Sequence, residues 1–168
     1  VAAPSSKVLG NMLGHTTILE YFYEKGYDVM HITSKFGAII NDKKVGREEF
    51  FKTLQTWGAD DTKKFVIFHY SILSEGINVP GLTHTILLRN LPIVEMAQTI
   101  GRVIRVHKDD RAAVAEGKIP AGAFHLYKKS EGIVTMPTGY KMGNAIAQRL
   151  QNVVNQIFLE GVPPLAYC

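Results

Sequence analysis

Three observations predict an α/β domain whose parallel sheet is covered by helices on both faces. Short apolar runs of strand length alternate with segments of helical periodicity. The strand-like runs are apolar from end to end, as expected of parallel strands buried on both sides. The chain has 168 residues, 46% hydrophobic and 20% charged, which is about one domain's worth of polypeptide and is not the composition of a disordered one.

The first helix is predicted over residues 18–25. Thr17 followed by Glu20 is a capping-box signal, Leu19, Phe22 and Tyr23 form an apolar face, and Gly26 can take the left-handed conformation that ends the helix. Residues 27–33 read as a buried strand and 34–46 as a polar, mobile connection. Phe50, Phe51, Leu54 and Trp57 recur at helical spacing before Gly58. Residues 64–70 read as a central strand and 83–88 as another, joined by a loop over 71–81 that contains Gly76, Pro80 and Gly81. Pro92 suits a helix start, with Val94, Ala97 and Ile100 as its apolar face and an end near Val103. Residues 123–127 and 133–136 read as two strands of a hairpin. A last helix carries Met142, Ile146, Leu150, Val153, Ile157 and Phe158 on one face and amides such as Asn144, Gln148 and Asn155 on the other.

Composition excludes several function classes. Cys168 is the sole cysteine, so no internal disulfide can form. The six histidines show no i,i+4 pairing and no companion cysteines, so no metal site is expected. Apolar runs fall far short of the ~20 residues of a membrane-spanning helix, and the N-terminus lacks a secretory pattern, which points to a cytoplasmic protein. Val1 stands where an initiator methionine would, as in a fragment of a longer polypeptide. A net charge of +4 permits a polyanionic partner without demanding one.

Two blocks carry chemistry. The first, Phe68-His69-Tyr70-Ser71-Ile72-Leu73-Ser74-Glu75-Gly76-Ile77-Asn78-Val79-Pro80-Gly81, runs from a strand into a glycine-containing loop. The second is Gln98-Thr99-Ile100-Gly101-Arg102-Val103-Ile104-Arg105. Arg102 and Arg105 lie three apart, so on a helix they project from neighbouring positions and two guanidiniums can converge on one anion. Pairing of these arginines with Asp109 or Asp110 at the surface is the other reading of the residues alone.

The first block resembles motif V of superfamily 2 helicases, of the form S-E-G-I-D-x-P, and the second matches their motif VI, Q-x-x-G-R-x-x-R. The resemblance spans residues 18–110 and is nearer to the restriction-subunit-like and phage-like helicases than to the DEAD-box set. It implies a RecA-like C-terminal helicase lobe, with residues 1–110 as the core and 111–168 as a continuation of the same domain.

By this resemblance Arg102 and Arg105 are the catalytic arginine fingers, pointing at the γ-phosphate of ATP held by another lobe. Gly76, Asn78, Gln98 and Gly101 belong to the nucleotide side, and Tyr70, Ser71 and Ser74 to the nucleic-acid side. For Ser71 and Ser74, simple capping of the loop is the other reading. The family usually has Thr-Asp where this chain has Tyr70-Ser71, and Asp in place of Asn78. Its first strand would correspond to Val1, Ala2 and Ala3, in a terminus otherwise expected to be disordered.

No G-x-x-x-x-G-K-[ST] phosphate loop and no D-E-x-[HD] run occurs in the sequence. The expected cofactors, ATP and Mg²⁺, are therefore held mainly by an N-terminal RecA-like lobe supplied in cis or in trans. DNA is the expected polymer, with RNA also compatible, and no membrane is involved. A non-catalytic nucleic-acid-binding or regulatory module is the alternative.

Overall fold

The computed structural model describes residues 1–70, 79–137 and 141–157. In chain order the elements are α1 (Ser6–His15), α2 (Ile18–Glu24), β1 (Asp28–Thr33), β2 (Gly37–Ile40), β3 (Lys43–Val45), α3 (Arg47–Ala59) and β4 (Phe65–His69). They continue with β5 (His84–Ile86), α4 (Ile93–Val103), α5 (Lys108–Ala115), a 3₁₀ turn (Phe124–Leu126), β6 (Ile133–Thr135) and α6 (Lys141–Ile157). The protein is mixed α/β, with one sheet in the order β3-β2-β1-β4 and a second made of β5 and β6.

Strand pairs β1–β4 and β5–β6 are parallel. The N-terminal residues lie between the two sheets, with Ala2 bridged in parallel to both His69 and Leu87. Ala2 donates its N–H to Ile86 and Ala3 donates to His69, each at 2.9 Å. The terminus is thus an ordered sheet segment, followed by α1 with Ser5 accepting from the Val8 N–H as its N-cap. Val1 to Ala3 pair as a strand segment, as expected, whereas the disorder expected after them was wrong, because Ser5 caps a helix whose Leu9 is buried.

Alternation along β1 and β4 sends side chains to opposite layers. Val29 and Phe68 meet Leu9 and Phe22 on the α1–α2 side. Met30, Ile32 and Ile67 meet Phe50 and Leu54 of α3 on the other. Each such fully buried side chain contributes roughly 1.5–3 kcal/mol of burial free energy. A third cluster joins Leu87 and Leu91 to Met96 and Ile100 of α4 and to Ile146 and Val153 of α6. Helices therefore cover both faces of the larger sheet, as expected, but the sheet itself is mixed and not the parallel one expected, because β2 and β3 pair antiparallel with β1 and with each other and only β4 joins β1 in parallel.

Four local expectations fail for physical reasons. Residues 37–45 form an antiparallel hairpin instead of a mobile connection, with Asn41 and Asp42 both at positive φ (46° and 64°) in its two-residue turn. The turn is held because Asn41 Oδ1 accepts from the Val29 N–H at 2.8 Å and Asn41 Nδ2 donates to Asp28 at 2.5 Å. Thr17 makes no side-chain cap, a role taken by Thr16, whose hydroxyl accepts from the Ile18 N–H at 3.3 Å. Residues 123–127 coil into the 3₁₀ turn, and β6 pairs in parallel with β5 instead of closing a hairpin. On α4 Ala97 and Ile100 pack inward as expected, beside Met96, Arg102 and Val103, but Val94 departs from that face and is 67% exposed.

Among the described residues no helix is long and apolar enough to cross a membrane.

Candidate functional site

Helix α4 begins at the Pro92 N-cap, whose fixed φ of −53° suits a helix entry, and ends with Ile104 as its C-cap. Arg102 lies in its last turn, and Arg105 falls beyond the helix. The expected pair on one helical face is therefore corrected: the helix stops between the two arginines. Arg102 is buried, with 8% of its surface exposed, whereas Arg105 is exposed. Burial first, and then the charge of Arg105, lowers the pKa of Arg102, so the two guanidiniums feel each other.

The end of α4 is held from outside. Lys129 donates its ammonium to the Val103 carbonyl and, at 2.9 Å, to the Arg105 carbonyl. A cation on the last free carbonyls of a helix also meets the negative end of its dipole. Burial lowers the Lys129 pKa. Gly132 packs against the same place, since a Cβ there would lie 2.6 Å from the Val103 oxygen.

Arg102 lines a groove of about 490 Å³ together with Thr99, His107, the starts of β4 and β5, and His69. His69 is 5% exposed, and among the described residues its Nδ1 has no hydrogen-bond partner. Its pKa is pushed well below the usual histidine range, chiefly by burial and further by the Val1 amino group, Arg89 and Arg102. A neutral imidazole beside the Arg89 and Arg102 guanidiniums lies in a region of positive potential, whereas burial lowers the Val1 amine to about 5 and leaves it largely uncharged near neutrality. Arg89 stacks over the Tyr70 ring at 4.7 Å and pairs with Glu95 at 3.0 Å, which links the end of β4 to the first turn of α4.

At the rim, Asp61, His107 and Asp109 bring potential ligand atoms within 4.8 Å of one another. His107 Nδ1 accepts from the Asp109 N–H at 3.2 Å, so the ring proton sits on Nε2, facing Asp61 at 2.9 Å. The Lys128 ammonium bonds Asp61 and, at 3.1 Å, Asp109. A divalent cation could enter only by displacing Lys128 and that N–H. The Asp61 carboxyl is held down at about 2, mainly by hydrogen bonds from Lys128 and His107. Behind it, buried Asp110 accepts the N–H groups of Lys128 at 2.8 Å and Lys129 at 3.1 Å. These ties fasten the segment carrying Lys129 under the end of α4.

Arg102 and Arg105 are near enough for their charges to interact, with Gln98 exposed on α4. Gly101 makes no close approach: among the described residues nothing lies within 4 Å of a Cβ placed there. Tyr70 serves as the platform for Arg89. Ser71, Ser74, Gly76 and Asn78 lie outside the described residues. Sequence reading missed Arg89, Glu95, His69 and Lys129. Arg89 and Glu95 flank the Pro92 helix start, which was a usable signal, but nothing local marks Lys129, whose carbonyl partners are 24 and 26 residues away. Compared with protein-family models, curated proteins and solved structures, the chain shows no significant match.

Proposed function

We propose that this chain is the second, RecA-like motor lobe of an ATP-dependent helicase or translocase, presenting arginines to ATP bound on a separate lobe. The observation that supports it is the placement of the Q-x-x-G-R-x-x-R run: Arg102 and Arg105 end up as interacting cations at the exit of α4. ATP with Mg²⁺ supplies the transferable phosphoryl group. Arg105, which is exposed, would contact its terminal phosphate, and buried Arg102 would add positive charge from a region of lower dielectric. Lys129 and Gly132 position this segment. Nucleic acid meets the end of β4, where ligands of open α/β sheets gather at strand C-termini.

The burial of Arg102 favours a second reading, a non-catalytic nucleic-acid-binding module in which that arginine is structural. Steady-state hydrolysis by the two-lobed protein separates the two. Arg105→Ala is expected to lower turnover by roughly 10³- to 10⁵-fold with nucleic-acid binding retained, and Arg105→Lys to rescue poorly because it lacks the planar fork. Turnover near normal in both Arg102→Ala and Arg105→Ala removes the motor assignment.

A further inference from the structure

The groove that Arg102 lines has the walls of a missing strand. On one side β4 pairs with β1 through alternate residues: Asp28 donates to the Lys64 carbonyl, so Lys64, Val66 and Phe68 point their backbone groups at β1. Phe65, Ile67 and His69 point theirs the other way. On the far side β5 uses the Thr83 and Leu87 backbone for β6, because Thr83 accepts from Ile133 and Leu87 donates to Thr135. His84, Ile86 and Leu88 consequently face β4 across the groove.

Residues Val1 to Ala3 fill only the far end of this space. Val1 donates to the Ile67 carbonyl at 2.7 Å and accepts from His69 at 3.1 Å. Ala2 donates to Ile86 at 2.9 Å and accepts from Leu88 at 3.0 Å. Below them, the N–H groups of Ile67 and Ile86 and both backbone groups of Phe65 and His84 have no partner in the ladders described. Backbone groups facing an open groove are left to water, and two such edges already bridged at one end by Val1 to Ala3 are a template that an extended segment can pair with.

We infer that this groove is a strand slot, completed by an extended segment joined to the nitrogen of Val1 and running parallel to β4 and β5. Such a strand would merge the two sheets into one. Its register follows from the ladder already present. The residue directly before Val1 accepts from Ile86 and donates to His84, with its side chain on the Ile67 and Thr85 side, towards Arg102. The residue before that accepts from Ile67 and donates to Phe65, with its side chain on the side of Phe22. At ~3.3 Å per residue the slot takes roughly four residues. The unpaired walls carry this assignment, which is independent of the motor reading.

The test extends the chain before Val1 with Thr-Val-Thr-Val, with Pro-Pro-Pro-Pro, or not at all, and follows amide hydrogen exchange. Thr-Val-Thr-Val is expected to slow exchange at Ile67 and Ile86 by about tenfold or more, while the proline extension, which has no N–H and cannot join a ladder, leaves both near the rates of the unextended chain. Equal rates at these two amides in the two extended chains would overturn the slot. A free acetyl-Thr-Val-Thr-Val-amide peptide that protects both amides as well as the fused one would overturn the assignment to a joined segment and make the occupant a separate chain.

Discussion

The backbone of Gly58, in the last turn of α3, occupies the place that a side chain at Gly81 would need. A Cβ at Gly81 collides with the Gly58 carbonyl oxygen, and one at Gly58 would lie 2.5 Å from the Pro80 oxygen. Gly81 also holds φ at +72°. Two glycines thus let α3 and the chain entering β5 touch backbone to backbone. Gly117→Ala, at φ +71° with open space around it, is expected to cost about 1 kcal/mol. Gly81→Ala is expected to cost at least about 2 kcal/mol because strain and collision combine. Urea midpoints of the two variants check this, and equal losses would show that the contact relaxes freely.

Lys129→Met should destabilise the protein by about 1.5 kcal/mol, since a charged donor leaves two carbonyls at the end of α4 without it. Gly132→Ala should perturb the same turn by pushing on Val103. Amide exchange at residues 103–105 is the measurement. Unchanged protection in both variants would mean that the arginine segment is held by other contacts.

Stability should fall as pH drops below neutrality. His69 titrates well below its ordinary value when folded, because burial disfavours its charged form. Below about pH 6.5 the unfolded chain binds a proton that the folded one does not, so unfolding gains up to about 1.4 kcal/mol per pH unit from this residue until the folded pKa is reached. His31, lowered mainly by burial, adds in the same direction. His69→Asn should flatten the dependence between pH 6.5 and 5 in denaturant titrations. A slope identical to that of the parent would show that His69 does not control it.

On the motor reading the chain alone should bind nucleic acid weakly and mainly through phosphates. Log affinity is then expected to fall linearly with log salt, by about 0.7 to 0.9 per phosphate contacted. Fluorescence anisotropy with single-stranded and duplex oligonucleotides across a salt series reads the slope. A nanomolar complex indifferent to salt would contradict phosphate-led binding.

Elements whose signals are local were legible in the amino-acid order alone. Helix α3 follows from the spacing of Phe50, Leu54 and Trp57, and β4 from its unbroken apolar run, because helical and strand periodicities expose the buried face residue by residue. Pro92 marked the start of α4, and Gly26 the end of α2 at φ +74°. The arginines themselves were also legible as a spaced run.

Features that depend on partners far along the chain emerged with the folded arrangement. Residues 37–45 became a hairpin because β1 offered an edge and Asp28 a partner for Asn41. Residues 133–135 found β5 instead of a neighbouring strand. Arg102 was buried and Arg105 exposed because α4 stops between them, where Lys129 takes its carbonyls. Hydrogen bonds and burial of this kind join residues dozens of positions apart, and no local period in the sequence encodes which distant group will arrive.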